Sequence, residues 1–193
     1  MLVQKDVYKK AIQVAQETAE NTEVNDPNIS GNHIGPLVSE VQYNKVQDLI
    51  DAGIKEGAKL IAGGLGRPEG FNRGYFVRPT VFADVNNDMR IAREEVFGPV
   101  LSIIPFETEE EAIAISNDTS YGLTDYVQSG DSERTQRVAR QLRAGMVQVN
   151  GAPRASGSPF GGYKQSGNGR EGGIEGFEEF LETKAVSGWT TTS

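Results

Sequence analysis

Two adjacent carboxylates, an aromatic residue and a Gly-Pro pair form the segment of this chain best suited to ligand chemistry. The segment reads Glu94-Glu95-Val96-Phe97-Gly98-Pro99, and it leads directly into an apolar run that begins at Val100. A carboxylate close to a strand can accept hydrogen bonds from paired sugar hydroxyls, and an aromatic ring beside it offers a face to a planar ring. The residue types are compatible with a site for a sugar-linked ring system, and an ordinary turn is the alternative.

A second pattern, Gly167-Asn168-Gly169-Arg170-Glu171-Gly172, matches the dinucleotide-binding spacing G-x-G-x-x-G. That fingerprint follows a strand directly, opens a helix, and has an acidic residue about 20 positions further on. Here the preceding strand pattern ends at Val149, and threonines stand where the acidic residue belongs. We interpret the match as a coincidence of a glycine-rich loop.

A third pattern is the acidic cluster of Glu107, Glu109, Glu110 and Glu111. These side chains fall in and just before the first turn of a predicted helix. Carboxylates there are stabilised by the positive end of the helix dipole. The cluster is therefore explained without a metal or an acid–base role.

Composition excludes several classes of chemistry. The chain has no cysteine and one histidine, so it has no thiolate catalysis and no disulfide, and a zinc site would depend on carboxylates. We predict no metal site. Its 27 acidic against 19 basic residues give a net charge of −8, which argues against a nucleic-acid surface. Without an apolar run long enough for a membrane span, and with no leader pattern at its start, the sequence predicts a soluble, cytoplasmic protein.

The first half of the chain contains clear helix signals. Apolar residues at helical spacing follow Asp6, and Ser39-Glu40-Val41-Gln42 is a capping box in which Ser39 and Gln42 satisfy free N–H groups at a helix start. Residues 59–62 read as a short strand. An extended run follows at residues 75–82, and its Pro79 has no N–H for a ladder, which indicates an edge strand or a bulge.

From Val100 onward, strand and helix patterns alternate. Strands are predicted at residues 100–104, 123–128 and 146–149, with helices at residues 108–117 and 132–143 between them. The first of these helices begins with a second capping box, Thr108 to Glu111. Strands that alternate with helices through short links indicate an α/β fold with a largely parallel sheet covered by helices.

The C-terminal part is predicted to be a long loop followed by two short elements. Residues 151–173 are glycine-rich and lack apolar periodicity, and loops of that length in a compact domain are usually functional or disordered. Residues 174–184 read as a helix. Residues 185–190 alternate in side-chain type and read as a final exposed strand.

Several of these blocks together resemble one family. Arg93-Glu94-Glu95-Val96-Phe97-Gly98-Pro99-Val100 resembles the hallmark of NAD(P)-dependent aldehyde dehydrogenases, and the loop from Pro159 to Gly167, followed by Gly169-Arg170-Glu171, resembles their C-terminal signature. Similar blocks in the same order are Ile34-Gly35-Pro36-Leu37, Gly74-Tyr75-Phe76-Val77-Arg78-Pro79-Thr80-Val81, Tyr121-Gly122-Leu123 and Ala144-Gly145-Met146-Val147-Gln148-Val149-Asn150. Met146 and Gln148 depart from the family, which more often has a small and an aromatic residue there.

The resemblance implies roles for individual residues. Glu95 would bind the hydroxyls of the nicotinamide-side ribose of NAD or NADP, and Phe97 would flank the nicotinamide. Phe160 would line the aldehyde pocket, and residues 153–158 would form the substrate-entry loop. Asn150 ends a strand near that pocket, and a capping role is an equal alternative.

The resemblance also implies an organisation. Residues 1–184 would be the C-terminal portion of the catalytic domain, without the Rossmann-type half, and residues 185–193 would be an oligomerisation strand of a homo-oligomer. The family oxidises an aldehyde through a cysteine thioester, and the nucleophile and the glutamate base are expected before Met1. We therefore expect no catalytic residue in this chain and no activity from it alone. The alternative is a non-catalytic interaction module that docks to a full-length relative through its last strand.

Overall fold

The computed structural model describes residues 1–189, which form seven strands and six α-helices. The strands are β1 (Leu2–Gln4), β2 (Lys59–Ala62), β3 (Thr80–Ala83), β4 (Val100–Ser102), β5 (Ile104–Phe106), β6 (Thr124–Val127) and β7 (Met146–Val149). The helices are α1 (Lys5–Asn21), α2 (Glu40–Lys55), α3 (Arg90–Arg93), α4 (Glu109–Asn117), α5 (Ser132–Ala139) and α6 (Gly173–Glu178), with a 3-10 turn at Lys164–Ser166. None of these helices combines the length and apolarity that a bilayer span requires.

The chain divides into two compact units, the first covering Met1–Ala112 and the second beginning at Ile113. In the first unit, β1 pairs in parallel with β5, β3 pairs in parallel with β4, and β2 pairs antiparallel with β3. The α/β class is confirmed, but the described strands form three small sheets and not one. The sheet β2-β3-β4 is mixed, because β2 runs antiparallel to β3. The strand predicted at residues 100–104 is also interrupted at Ile103, whose N–H bonds to the Phe82 carbonyl at 2.8 Å.

The core of the first unit lies beneath α1. Val3, Val81 and Ile103 are buried together, and α1 packs its apolar face against them. Pro79 lies just before β3, so the strand begins only at Thr80 and is shorter than the predicted extended run. The missing N–H of proline accounts for that late start.

Helix α2 is the second buried element of the first unit. Val46, Leu49 and Ile50 are fully buried, and Gly53 allows close contact, since a Cβ there would lie 2.9 Å from Ile91 Cδ1. Ser39 caps the helix by accepting a bond from the Gln42 N–H at 3.2 Å, as predicted. The Gln42 side chain does not complete the capping box. It is directed instead to the segment before β4, where its Nε2 donates to the carbonyls of Val96 and Phe97.

In the second unit, β6 and β7 form a parallel pair with Thr124 opposite Met146 and Val127 opposite Val149. Helix α5 is capped by Asp131, whose carboxylate accepts from two backbone N–H groups at 2.9 and 3.0 Å. The helix ends at Ala139, four residues short of the predicted bound. The next residues form turns instead, with the Gln141 N–H bound to the Val138 carbonyl.

The C-terminal prediction is wrong in two respects. The helix predicted at residues 174–184 ends at Glu178, and residues 185–189 are not a strand; Thr190 lies outside the described residues. A strand requires a partner to accept and donate its ladder hydrogen bonds, and alternation of side chains supplies none. These residues are exposed, as expected.

Candidate functional site

The first candidate region is the turn between α3 and β4, residues 94–99, here called the Glu95 turn. Glu94 closes α3 by donating its N–H to the Arg90 carbonyl at 2.8 Å. At the other end, the Pro99 carbonyl accepts from Thr80 N–H at 2.9 Å, which joins the turn to β3. Both ends of the turn are therefore fixed by secondary structure.

The two adjacent carboxylates of this turn have different surroundings. Glu94 accepts a bond from Arg90 Nε at 2.7 Å, and this bond with the nearby guanidinium charge lowers the pKa of Glu94. Glu95 is exposed, and within residues 1–189 no side chain binds its carboxylate. Glu95 is thus the acid of the pair that can accept hydrogen bonds from a ligand.

Phe97 adopts an unusual backbone conformation. Its φ is 55°, in the left-handed region that non-glycine residues rarely occupy, and its side chain is 68% exposed. Such a conformation costs about 1–3 kcal/mol and persists only where the surroundings impose it. Because the exposed ring gains little from burial, other contacts must hold the backbone.

Those contacts come from α2. The Gln42 side-chain amide donates to the carbonyls of Val96 and Phe97 at 2.9 and 3.1 Å, and Lys45 Nζ donates to the Glu95 carbonyl at 2.7 Å. Gly98 sits against the same helix, since a Cβ there would lie 2.8 Å from Val46 Cγ2. The turn is held by its backbone, and its two candidate side chains are free.

The second candidate region is the glycine-rich loop of the second unit, in which Phe160 is half-buried. Phe160 and Glu171 exchange two backbone hydrogen bonds, at 2.8 and 2.7 Å, so the loop closes on itself as an isolated antiparallel bridge. Arg154 lies over the Phe160 ring, 5.7 Å from its centroid.

Asn150 has a capping role in the structure. Its φ is 51°, its Oδ1 accepts from the Ser129 N–H at 2.9 Å, and its Nδ2 donates to the Ser129 carbonyl at 3.0 Å. Both polar atoms of the amide therefore hold the loop after β6. Of the two roles that the sequence left open, the geometry favours the cap.

Arg170 is a residue whose role sequence reasoning missed. Its Nη1 donates to the carbonyls of Gly162, Asn168 and Gly169 at 2.9, 3.0 and 2.9 Å. The segment that matches the dinucleotide spacing follows the 3-10 turn and not a strand, so its context is not that of a fingerprint. The sequence signal for this role was an arginine within a glycine-rich loop. Such a loop leaves many backbone carbonyls accessible, and one guanidinium can donate to several of them.

Glu95 and Phe97 belong to the first unit, whereas Phe160 and Asn150 belong to the second. Residues 1–186 match the aldehyde dehydrogenase family, and the chain belongs to that family. The resemblance carried by the Glu95 turn and the glycine-rich loop is thereby confirmed.

Relatives match nearly the whole chain. It is 56% identical over 189 residues to 3-succinoylsemialdehyde-pyridine dehydrogenase of a Pseudomonas species, covering 98% of this chain and 40% of that protein. A solved aldehyde dehydrogenase from Bartonella henselae is 58% identical with a TM-score of 0.95, covering 98% of this chain and 40% of that one.

Aldehyde dehydrogenase C of Pseudomonas syringae, solved as a mutant with NAD+ and octanal, is 48% identical with a TM-score of 0.95, and the match covers 100% of this chain and 40% of that one. The chain therefore spans about 40% of the length of the relatives it matches.

Proposed function

We propose that this chain supplies the nicotinamide-side cofactor contacts and part of the aldehyde pocket of an NAD(P)+-dependent aldehyde dehydrogenase. The observation that carries the proposal is the Glu95 turn, where a free carboxylate and an exposed aromatic ring project from a tethered backbone. The Glu95 carboxylate accepts hydrogen bonds from the two ribose hydroxyls, since an ionised carboxylate has acceptor sites for both. The Phe97 ring offers its face to the nicotinamide.

The residues of the Glu95 turn have the chemistry that the nicotinamide end of the cofactor requires. Glu95 and Phe97 would hold the nicotinamide end of NAD(P)+, and the chemistry that the cofactor would supply there is that of a hydride acceptor. Glu95 orients the ribose and thereby the ring attached to it, and Phe97 limits the positions that this ring can take. Holding reactants in one orientation is a large part of enzymatic rate acceleration, because it removes entropy from the barrier. In the second unit, Phe160 contributes apolar surface to the aldehyde pocket.

The chain alone should not oxidise aldehydes. It has no cysteine, so it has no thiolate to attack the aldehyde and form the thioester that the family uses. The nucleophile of the complete enzyme therefore comes from outside these 193 residues. Purified chain mixed with propanal and NAD+ is expected to produce no NADH, and steady NADH formation would contradict the proposal.

The cofactor assignment is tested in an active enzyme made by joining this chain to the preceding part of the Bartonella henselae relative. Glu95→Gln should slow hydride transfer about 10- to 100-fold, the value of hydrogen bonds to a charged acceptor, and should spare aldehyde capture. Glu94→Gln is the matched control, since Glu94 is paired with Arg90. Equal rates for the two variants in single-turnover experiments would refute the role of Glu95.

The affinity of the isolated chain for NAD+ should be low. It supplies the nicotinamide-side contacts and lacks the Rossmann-type half that holds adenine and pyrophosphate. We expect a Kd weaker than ~1 mM by calorimetry. A micromolar Kd would show that this chain holds a far larger part of the cofactor site than we propose.

A second role, association with another subunit, is favoured by one observation. The C-terminal segment, residues 174–189, exposes large apolar side chains that include Phe180 at 88% and Trp189 at 81%. Apolar surface of this kind marks interaction sites. We propose that it binds a further copy of the chain, or a full-length relative if the chain is an interaction module.

Association is tested by sedimentation of the chain with and without residues 185–193, and with Phe180→Ser. We expect concentration-dependent dimerisation that both changes weaken. Ser substitution at exposed Thr119 is the control. A monomer at high concentration, or a dimer insensitive to both changes, would contradict this role.

A further inference from the structure

We propose that Asn168 and Gly169 form a self-modification site, at which the Asn168 amide is lost through a cyclic succinimide and Arg170 promotes the ring closure. The reaction is the deamidation of an asparagine, and its products are aspartate and isoaspartate. It requires neither NAD(P)+ nor an aldehyde, so it is independent of the proposed function. The site lies in the glycine-rich loop of the second unit, between the 3-10 turn and the bridge of Phe160 with Glu171.

The ring closure joins two neighbouring residues of the chain. Hydroxide removes the amide proton of Gly169, and the Gly169 nitrogen then attacks Asn168 Cγ. A new N–C bond forms, the bond from Cγ to the side-chain nitrogen breaks, and ammonia leaves with a proton taken from water. Water opens the succinimide at one or the other of its carbonyl carbons, which gives aspartate or isoaspartate. No oxidant or reductant takes part. Glycine obstructs this attack less than any other residue, because it carries no Cβ.

The reacting groups of this pair are free to meet. Asn168 and Gly169 are both exposed. Within residues 1–189, the side-chain amide of Asn168 has no hydrogen-bond partner and the Gly169 N–H has no acceptor. Ring closure therefore breaks no hydrogen bond of either group in the described chain. The surroundings of Gly169 are also open, since a Cβ built there meets nothing within 4 Å.

Arg170 stabilises the charge that the attacking nitrogen acquires. When the Gly169 nitrogen loses its proton, peptide resonance spreads the negative charge onto the Asn168 carbonyl oxygen. Arg170 Nη1 donates to that oxygen at 3.0 Å and to the Gly169 oxygen at 2.9 Å. A fixed cationic donor beside developing negative charge lowers the barrier, as donors do in an oxyanion hole. The contact is therefore expected to speed the ring closure.

The chain contains one other Asn-Gly pair, Asn150–Gly151, whose side chain the fold restrains. Asn150 Oδ1 accepts from the Ser129 N–H at 2.9 Å, and its Nδ2 donates to the Ser129 carbonyl at 3.0 Å. Both bonds must break before Cγ can approach the Gly151 nitrogen. Because the two pairs have the same local sequence, a difference in their rates comes from the folded structure.

Isoaspartate at position 168 would change how the loop packs. It adds one methylene to the main chain between Asn168 and Gly169, and this displaces the Gly169 carbonyl. That carbonyl packs tightly, since a Cβ at Gly161 would lie 2.2 Å from its oxygen, and it accepts from Arg170. We therefore expect the modification to loosen the loop that contains Phe160.

The test follows both Asn-Gly pairs in the complete 193-residue chain during incubation at neutral pH. Peptide mass spectrometry measures the deamidation of each asparagine, and chromatography separates the aspartate and isoaspartate peptides. The urea-unfolded chain gives the reference rate of each pair. The variants are Gly169→Ala, whose added methyl meets no neighbour, and Arg170→Met and Arg170→Gln, which both remove the charge while glutamine keeps a donor.

In the folded wild type, Asn168 should deamidate at least about 10-fold faster than Asn150, whose side-chain hydrogen bonds must break first. In urea the two rates should be similar. Gly169→Ala should slow the reaction of Asn168 by about 10-fold or more, because the Cβ shields the nitrogen. Arg170→Met should slow it about 10-fold, the value of one hydrogen bond to a charged group. Loosening of the loop alone would raise the rate, so a fall identifies the effect of the charge.

The rate at Asn150 reports whether the second unit stays folded, since it reaches its urea value only when the bonds to Ser129 are lost. Equal rates at Asn168 and Asn150 in the folded chain would overturn the proposal, as would an unchanged rate in Gly169→Ala. With Asn150 still slow, an unchanged or faster Asn168 in Arg170→Met would overturn the role of Arg170. If that variant unfolds, Arg170→Gln decides the same point, with the same fall expected.

Discussion

The two candidate regions are held in place by different means. The Glu95 turn is tied by side-chain donors of α2, which reach its carbonyls at 2.7 to 3.1 Å. In the glycine-rich loop of the second unit, backbone also packs very closely against backbone. A Cβ at Gly145 would lie 1.8 Å from the Gly161 oxygen, and one at Gly161 would lie 2.2 Å from the Gly169 oxygen.

The difference concerns which mutations each region tolerates. A turn held by donors loses a modest amount when a donor is deleted, and it accepts changes of its own exposed side chains. At Gly145 and Gly161 there is no room for even one methyl group, because the neighbouring backbone atoms cannot move aside as a flexible side chain can. Donor deletions and methyl additions therefore distinguish the two arrangements.

The largest expected effect is that of Gly145→Ala. The added Cβ would overlap the Gly161 carbonyl, so the loop must shift, and we expect a loss of more than about 3 kcal/mol in the free energy of unfolding. Gly130→Ala is the control, since a Cβ there meets nothing within 4 Å. Urea unfolding followed by circular dichroism measures both. Equal stability of the two variants would show that the loop is not packed as described.

The next largest loss of stability is expected for Arg170, a side chain of the glycine-rich loop that donates to three of its carbonyls. Arg170→Met removes bonds from Nη1 to the carbonyls of Gly162, Asn168 and Gly169. We expect a loss of about 2 kcal/mol in the same urea experiment, the range for hydrogen bonds that involve a charged group. Arg140→Met, at an exposed position of the same unit, should change the free energy of unfolding by only a few tenths of the loss expected for Arg170→Met. Unchanged stability of the Arg170 variant would show that these three bonds do not stabilise the loop.

Asp125 is a partly buried carboxyl, in contrast to the free Glu95. Its removal is expected to change the free energy of unfolding by a smaller amount, and to raise it. Burial raises the pKa of Asp125, and the Ser116 hydroxyl and the charge of Lys164 offset this only in part. A carboxyl with a raised pKa in the folded state destabilises the protein above that pKa, and the cost disappears below the unfolded value of about 3.9.

Asp125→Asn should therefore stabilise the chain at pH 7 by less than about 1 kcal/mol, since solvent screens a half-exposed group. The gain should vanish as the pH falls below about 4, where both states of the wild type are protonated. Thermal unfolding across pH, with Asp48→Asn as the exposed control, measures this. A gain that persists at low pH would indicate a packing effect and not a charge effect.

The smallest expected effect is a difference in Tm between variants of Glu94, which is paired with Arg90, and variants of Glu95, which is free. Arg90 lowers the pKa of Glu94, so the stabilisation is present above the ordinary value of about 4.3 and is lost as the pH falls through the lower folded value. Glu94→Gln should lower the Tm by about 1 °C at pH 7 and leave it unchanged at low pH. Glu95→Gln should not change the Tm at either pH. A larger loss for Glu95 would show that its carboxylate stabilises the fold.

The sequence by itself determined the elements whose signals are local. Helices α1, α2 and α4, and strands β2, β6 and β7, lie where periodicity, capping residues and apolar runs predicted them. The family also follows from the sequence, because the blocks around Glu95 and Phe160 depend only on residue order. These features are set by neighbours a few positions apart, which share a turn of helix or a face of a strand.

Tertiary structure alone decided which partner each polar group takes. Sequence could not show that Glu94 pairs with Arg90 while Glu95 stays free, nor that Asn150 binds Ser129. Nor could it show that Gln42 leaves its capping box to bind a segment 54 positions away. The physical reason is that a side-chain amide or carboxylate has several partners of similar energy within reach. Packing of distant elements, such as α2 against Gly98, determines which partner lies at hydrogen-bond distance.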